Sequence, residues 1–121
     1  MEKLILIVED YEDSRDVLRF LLESCGYFVI EAADGIEAVD KVRRFHPDLI
    51  LMDISLPVVD GLTATRAIRE VTFGSRVPII AVTAFGSDFK REASEAGCDE
   101  LLDKPLDYRI LKPMLRQYLE C

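Results

Sequence analysis

Four apolar runs in the chain end on side chains that can do chemistry. Glu9 and Asp10 follow Leu4-Ile5-Leu6-Ile7-Val8, Asp53 follows Leu49-Ile50-Leu51-Met52, Thr83 follows Ile79-Ile80-Ala81-Val82, and Lys104 stands between Leu101-Leu102-Asp103 and Pro105. Taken singly each is a weak signal, because a carboxylate after a strand is more often a helix cap and a lone lysine is usually at the surface. Taken together they share a logic. Three carboxylates brought within about 4–6 Å repel by roughly 3–4 kcal/mol per pair at an effective dielectric near 20, so they require raised pKa values or a cation. Oxygen ligands without His or Cys suit Mg²⁺, or Mn²⁺, and a Mg²⁺ that keeps some of its waters needs few carboxylates. A Thr83 hydroxyl and a Lys104 ammonium would then serve the oxygens of a transferred phosphoryl group, and Asp53 would be the nucleophile that becomes an acyl phosphate.

For these residues to meet, the elements that carry them must end on one rim. Lys3 to Val8 reads as a buried strand. A helix is expected from Ser14, with Val17, Leu18, Leu21, Leu22 and Cys25 on its inner face and Gly26 as its stop. Tyr27 to Ala32 is a second strand and Asp34-Gly35 a turn. Ala38, Val39, Val42 and Phe45 line a second helix that ends before His46-Pro47, which leaves the single histidine in a connection without catalytic weight. Leu49 to Met52 is the third strand. Asp60-Gly61 opens a third helix with Ala64, Ala67, Ile68 and Val71 inward, and Ile79 to Thr83 is the fourth strand. Ser87 is the expected cap of a fourth helix reaching Ala96, with a thin stripe of Phe89, Ala93 and Ala96. Glu100 to Asp103 is a short fifth strand, and Tyr108, Leu111, Leu115, Tyr118 and Leu119 mark a last helix. Pro113 falls inside that helix and is expected to bend or restart it. Strand and helix alternating five times, with Val, Ile and Leu strands, predicts an α/β fold with a doubly wound parallel sheet covered on both faces. Ligands in such sheets bind beyond the carboxyl ends of the strands, where strand order reverses.

At 121 residues the chain fits one domain spanning 1–121, with no repeat, low-complexity segment or linker. No apolar run approaches the roughly 20 residues of a membrane span and no leader opens the chain, so a soluble, cytoplasmic protein without membrane contact is expected. Three cysteines, Cys25, Cys98 and Cys121, without CxxC spacing suggest reduced thiols, with packing the expected role of the first two. A net charge of −8 argues against direct binding of a nucleic-acid backbone by this domain.

Glu9-Asp10, Asp53 within Leu-Met-Asp-Ile-Ser-Leu-Pro, Asp60-Gly61, Ala81-Val82-Thr83-Ala84 and Lys104-Pro105 resemble, in order and spacing, the receiver domain of two-component response regulators of the chemotaxis-receiver kind. The resemblance covers essentially the whole chain. It implies a flavodoxin-like sheet of order 2-1-3-4-5 with five helices, and phosphorylation of Asp53 by a sensor histidine kinase or a histidine phosphotransfer protein. It also implies Mg²⁺ held by Asp10, Asp53 and the backbone carbonyl of Ser55, with Glu9 acting through water, and phosphoryl oxygens held by Thr83 and Lys104. A cis Lys104-Pro105 bond belongs to the same pattern. The implied role is that of a phosphorylation-dependent switch. Such a switch catalyses only its own phosphoryl transfer and slow dephosphorylation, and is read by a downstream effector or output domain.

Receivers commonly carry an aromatic residue three places before the lysine, where this chain has Leu101. The expected coupling is therefore a shift of Thr83 toward the phosphoryl group and repacking of residues 84–87 around Leu101, altering the face of helix four, strand five and helix five. Ser55 and Phe85 occupy positions that tune dephosphorylation in the family. A bulky Phe85 would crowd the attacking water and slow the reaction relative to Phe85→Glu, or else only cover its loop. Two other readings use the same residues. A haloacid-dehalogenase-like phosphatase needs an acidic residue two places after its nucleophile, where Ser55 stands. A receiver that binds partners without being phosphorylated would not need all five residues.

Overall fold

The computed structural model of the chain describes residues 2–72, 76–84 and 86–120. Five strands, β1 (Leu4–Val8), β2 (Phe28–Ala32), β3 (Leu49–Asp53), β4 (Ile79–Thr83) and β5 (Glu100–Asp103), pair in parallel in the order β2-β1-β3-β4-β5. They alternate with helices α1 (Glu12–Ser24), α2 (Gly35–Phe45), α3 (Gly61–Val71), α4 (Gly86–Ala96) and α5 (Tyr108–Leu119).

The three central strands are continuous apolar runs because both of their faces are covered. Side chains alternate across the sheet. Ile5, Ile7, Leu49, Leu51 and Ile80 pack under Leu18 and Leu22 of α1 and Leu111, Leu115 and Leu119 of α5. Leu6, Val8, Ile50, Met52 and Ile79 face Ala38 and Val42 of α2 and Ala64 and Ile68 of α3. On that same side Ala81 joins Ala93 and Ala96 of α4. Cys98 packs at this junction as expected.

Several helix details depart from the periodic pattern. α1 begins at Glu12, two residues before Ser14, with Glu12 and Asp13 in its first turn, where the positive end of the helix dipole favours acids. Its buried stripe is the narrow i, i+4 pair Leu18 and Leu22, so Val17 is 56% exposed and Cys25 is exposed rather than packed. Phe45 and Val71, last residues of α2 and α3, are also exposed. The Arg44 guanidinium lies 5.4 Å from the centre of the Phe45 ring. α4 starts at Gly86, so Ser87 falls inside its first turn instead of capping it. α5 runs unbroken through Pro113. The proline is exposed, and water can serve the Arg109 carbonyl that its missing N–H would have bonded.

Caps and turns follow the sequence closely. Asp34 and Asp60 accept from the backbone N–H of Glu37 and Thr63 at 2.8 and 2.9 Å, each satisfying an orphan donor of its helix. His46 ends α2 in the left-handed region, and Gly26 turns the chain after α1 at φ 93°. Gly61 has a different reason to be glycine. The start of α3 lies directly on the end of β3, where a Cβ would meet the Asp53 carbonyl oxygen and the Ile54 Cα. Gly61→Ala is therefore expected to lower stability by about 1–3 kcal/mol in denaturant unfolding, through overpacking against backbone that cannot yield.

Two tyrosine hydroxyls tie α5 and the residue after it to the sheet. Tyr118 donates to Glu100 at 2.6 Å and Tyr27 to Glu120 at 2.7 Å. The carboxylate bond and then burial push the Tyr118 pKa up to about 12; burial and then Glu120 do the same for Tyr27, also to about 12. Because the folded values lie above the usual 10.0, this contribution is fully present below pH 10.0 and is lost as pH rises toward about 12. Ultraviolet titration should show two phenols ionising near 12, and Tyr118→Phe should leave one.

Candidate functional site

Strand register brings the predicted residues to one edge. β1 and β3 are neighbours while β2 lies on the far side of β1, so strand order reverses between β1 and β3 and a crevice opens at their carboxyl ends. Asp53, the last residue of β3, pairs with Val82 across the β3–β4 ladder, which places Thr83 next along at the end of β4. Glu9 continues the β1–β2 ladder by donating its N–H to the Ala32 carbonyl at 3.0 Å.

These acids sit at different depths. Asp53 is 4% and Glu9 8% exposed, whereas Asp10 lies open to solvent. One carboxylate oxygen from each of Glu9, Asp10 and Asp53 falls within 4.8 Å of the other two. Lys104 is the cation set among them. Its Nζ donates to Asp53 Oδ2 at 2.8 Å and to Glu9 Oε1 at 3.1 Å. The other Asp53 oxygen, Oδ1, accepts from the Ser55 N–H at 3.0 Å, and Glu9 Oε2 accepts from the Tyr11 N–H at 3.1 Å. Burial works against the charged form of Lys104, but the bonds to Asp53 and then to Glu9 outweigh it and hold its pKa above the ordinary lysine value.

The Lys104 backbone is tied to the end of β4. The Lys104 N–H donates to the Thr83 carbonyl at 2.8 Å, and the Lys104-Pro105 peptide is cis. Thr83 itself is fully buried. Ser55 is exposed beyond β3, and Leu101 packs with Ile54, Leu62, Ala81, Ala93 and Phe89. Phe85 lies outside the described residues.

Two groups at the site carried no signal in residue type or spacing. The Tyr11 backbone N–H orients Glu9, and Arg15 on α1 reaches back with one guanidinium nitrogen to the carbonyls of Glu9 at 3.0 Å and Asp10 at 3.4 Å. A cleft of about 560 Å³ opens beside Asp53 and Lys104, between the start of α1 and the β5–α5 connection, with Val17, Leu18, Leu106 and Tyr108 in its walls. Chemically, the arrangement offers a carboxylate nucleophile, an ammonium against it and an all-oxygen group suited to a hard divalent cation.

Comparison with known proteins gives this geometry a family. The model of the response regulator receiver domain matches residues 5–116. The polar-differentiation response regulator DivK of Brucella ovis is 39% identical over 120 residues, covering 98% of each chain, and that of Brucella anthropi is 38% identical with the same coverage. Among solved structures, the receiver domain of the sensor histidine kinase PA1611 from Pseudomonas aeruginosa superposes with a TM-score of 0.91 at 40% identity over 100% of both chains. It was crystallised with a magnesium ion coordinated in its active site cleft. A two-component response regulator from Clostridium difficile gives a TM-score of 0.90 at 32% identity, covering 98% of this chain and 96% of its own. With strand order β2-β1-β3-β4-β5 and five helices, the chain belongs to the response regulator receiver domain family, the phosphorylation-dependent switches of two-component signalling.

Proposed function

We propose that residues 1–121 form one receiver unit in which Asp53 is the phosphoacceptor. The observation that carries this reading is the near-complete burial of Asp53 at a strand end with Lys104 at 2.8 Å and two further carboxylates beside it. Glu9 shares the same ammonium at 3.1 Å, but Asp53 is the more deeply buried acid and has the shorter contact, at the end of a strand. An Asp53 oxygen attacks the phosphorus of a phosphohistidine, the new O–P bond forms as the P–N bond breaks, and the imidazole nitrogen keeps the electron pair. Lys104 stays beside the acquired phosphoryl oxygens and offsets their charge. Thr83, buried in the present arrangement, shifts its hydroxyl toward the same oxygens.

The donor set fits Mg²⁺, since among the described residues three carboxylates and no His or Cys ligand meet at the crevice. Asp10, Asp53 and the Ser55 carbonyl would hold the ion, with Glu9 acting through water, and Mn²⁺ would serve as a substitute. When bound it supplies charge neutralisation for the transferring phosphoryl group. A sensor histidine kinase or histidine phosphotransfer protein is the donor, and its imidazole approaches over the apolar cleft beside Asp53. An effector or output domain reads the result. The work is done in the cytoplasm without contact to nucleic acid, and the chain acts as an enzyme only on its own phosphoryl group.

Incubation with acetyl phosphate and Mg²⁺ is expected to add one phosphoryl group, seen by intact mass and removed by hydroxylamine. Asp53→Asn or an excess of chelator should abolish it, and labelling that persists in Asp53→Asn would refute the assignment. With Leu101 in place of an aromatic residue, the shift of Thr83 should be relayed through the packing around Leu101. Amide spectra of the free and phosphorylated forms are expected to differ across residues 84–110, and identical spectra there would exclude that route.

A further inference from the structure

We propose that Arg15 is a positioning residue of the metal site, holding the Glu9–Asp10 backbone from α1 so that its carboxylates converge on Asp53. The inference rests on the Mg²⁺ reading above. Glu9 and Asp10 lie between the end of β1 and the start of α1; the Glu9 N–H still bonds the Ala32 carbonyl, but the carbonyls of both residues lie outside ladder and helix. Their carbonyls accept from Arg15, at 3.0 and 3.4 Å, and from no other donor among the described residues. The two acids differ in how their own side chains are held. The Glu9 carboxylate is fixed by Lys104 and the Tyr11 N–H, whereas the Asp10 carboxylate is exposed and accepts no bond among the described residues. The direction in which the Asp10 Cα–Cβ bond leaves the chain is set by its backbone, and the side chain bonded to this backbone is Arg15.

A guanidinium bonded to the backbone of two of these acids has a second effect of opposite sign. As a positive charge it opposes a divalent cation, so an Arg15 that acted only through charge would weaken Mg²⁺ binding. As a clamp on the ligand backbone it strengthens binding, and partners outside the coordination sphere typically change metal affinity 10–100-fold. The sign of the change on removing Arg15 distinguishes the two.

The test is titration of the full chain with MgCl₂ alone, followed by the amide signals of residues 9–11 and 53–56, for wild type, Asp53→Asn, Arg15→Met and Arg15→Lys. Arg15→Met is expected to raise the Mg²⁺ Kd by about 10-fold while its metal-free spectrum away from the β1–α1 connection stays that of wild type. Arg15→Lys, which keeps a single donating nitrogen, should fall between the two. An unchanged or lower Kd in Arg15→Met overturns the proposal. Should that variant not fold, a Kd for Arg15→Lys equal to or below wild type overturns it in the same way. If the wild type itself shows no Mg²⁺ binding that Asp53→Asn weakens, the metal reading falls and the Arg15 proposal with it. If the wild type binds and the Arg15 variants match it, only the role of Arg15 is lost.

Discussion

The ammonium of Lys104, shared between Asp53 and Glu9 at 2.8 and 3.1 Å, is the interaction on which the carboxyl edge of this sheet depends. Two carboxylates are nearly removed from water there and a third stands within 4.8 Å, above strands whose apolar side chains exclude solvent from below. Such a group of like charges is unfavourable unless a cation is built in. Lys104 supplies one without filling the space on the open side, where Asp10 faces solvent. The same bonds that quiet the repulsion thus leave the crevice able to take a second cation.

Holding one lysine in that place requires much of the fold. Lys104 comes from the end of β5, at the sheet edge, and its backbone is tied to Thr83 at the end of β4. Asp53 is held from the other side by the Ser55 N–H, and the turn beyond it is pressed by α3, which approaches so closely that position 61 admits no Cβ. Glu9 is oriented by the backbone that starts α1. Every carboxylate oxygen bonded at the site is thus bonded by a group from a connection, while the strands beneath supply rigidity. Function sits on loops that a stiff parallel sheet positions.

Departures from simple periodicity lie on helix positions outside the narrow buried stripes. Val17, Phe45 and Val71 are apolar residues at helical spacing that stay exposed. Pro113 leaves α5 continuous and lies on its exposed side. Neither outcome concerns the site. Leu101, where relatives commonly carry an aromatic residue, packs into the cluster of α4, β4 and the residue after β3.

The sequence by itself determined the element order, the doubly wound class and five of the residues that meet at the crevice. Each of those is a local property: an apolar run of strand length, a cap such as Asp60, a stop such as Gly26, a polar residue where the run ends. It also carried the motif spacing by which the family is recognised. Tertiary structure alone decided which residues each acid bonds, that Glu9 and Asp53 share one ammonium while Asp10 stays open, and that Arg15 reaches the backbone of both β1-end acids. It decided too which apolar helix residues stay exposed, as Val17 and Cys25 do. The physical reason is that these facts depend on distances between segments far apart in the chain, 51 residues for Asp53 and Lys104, and on which side of a helix is packed. Local pattern reports a residue's own neighbours along the chain, and only packing brings together the ends of separate strands.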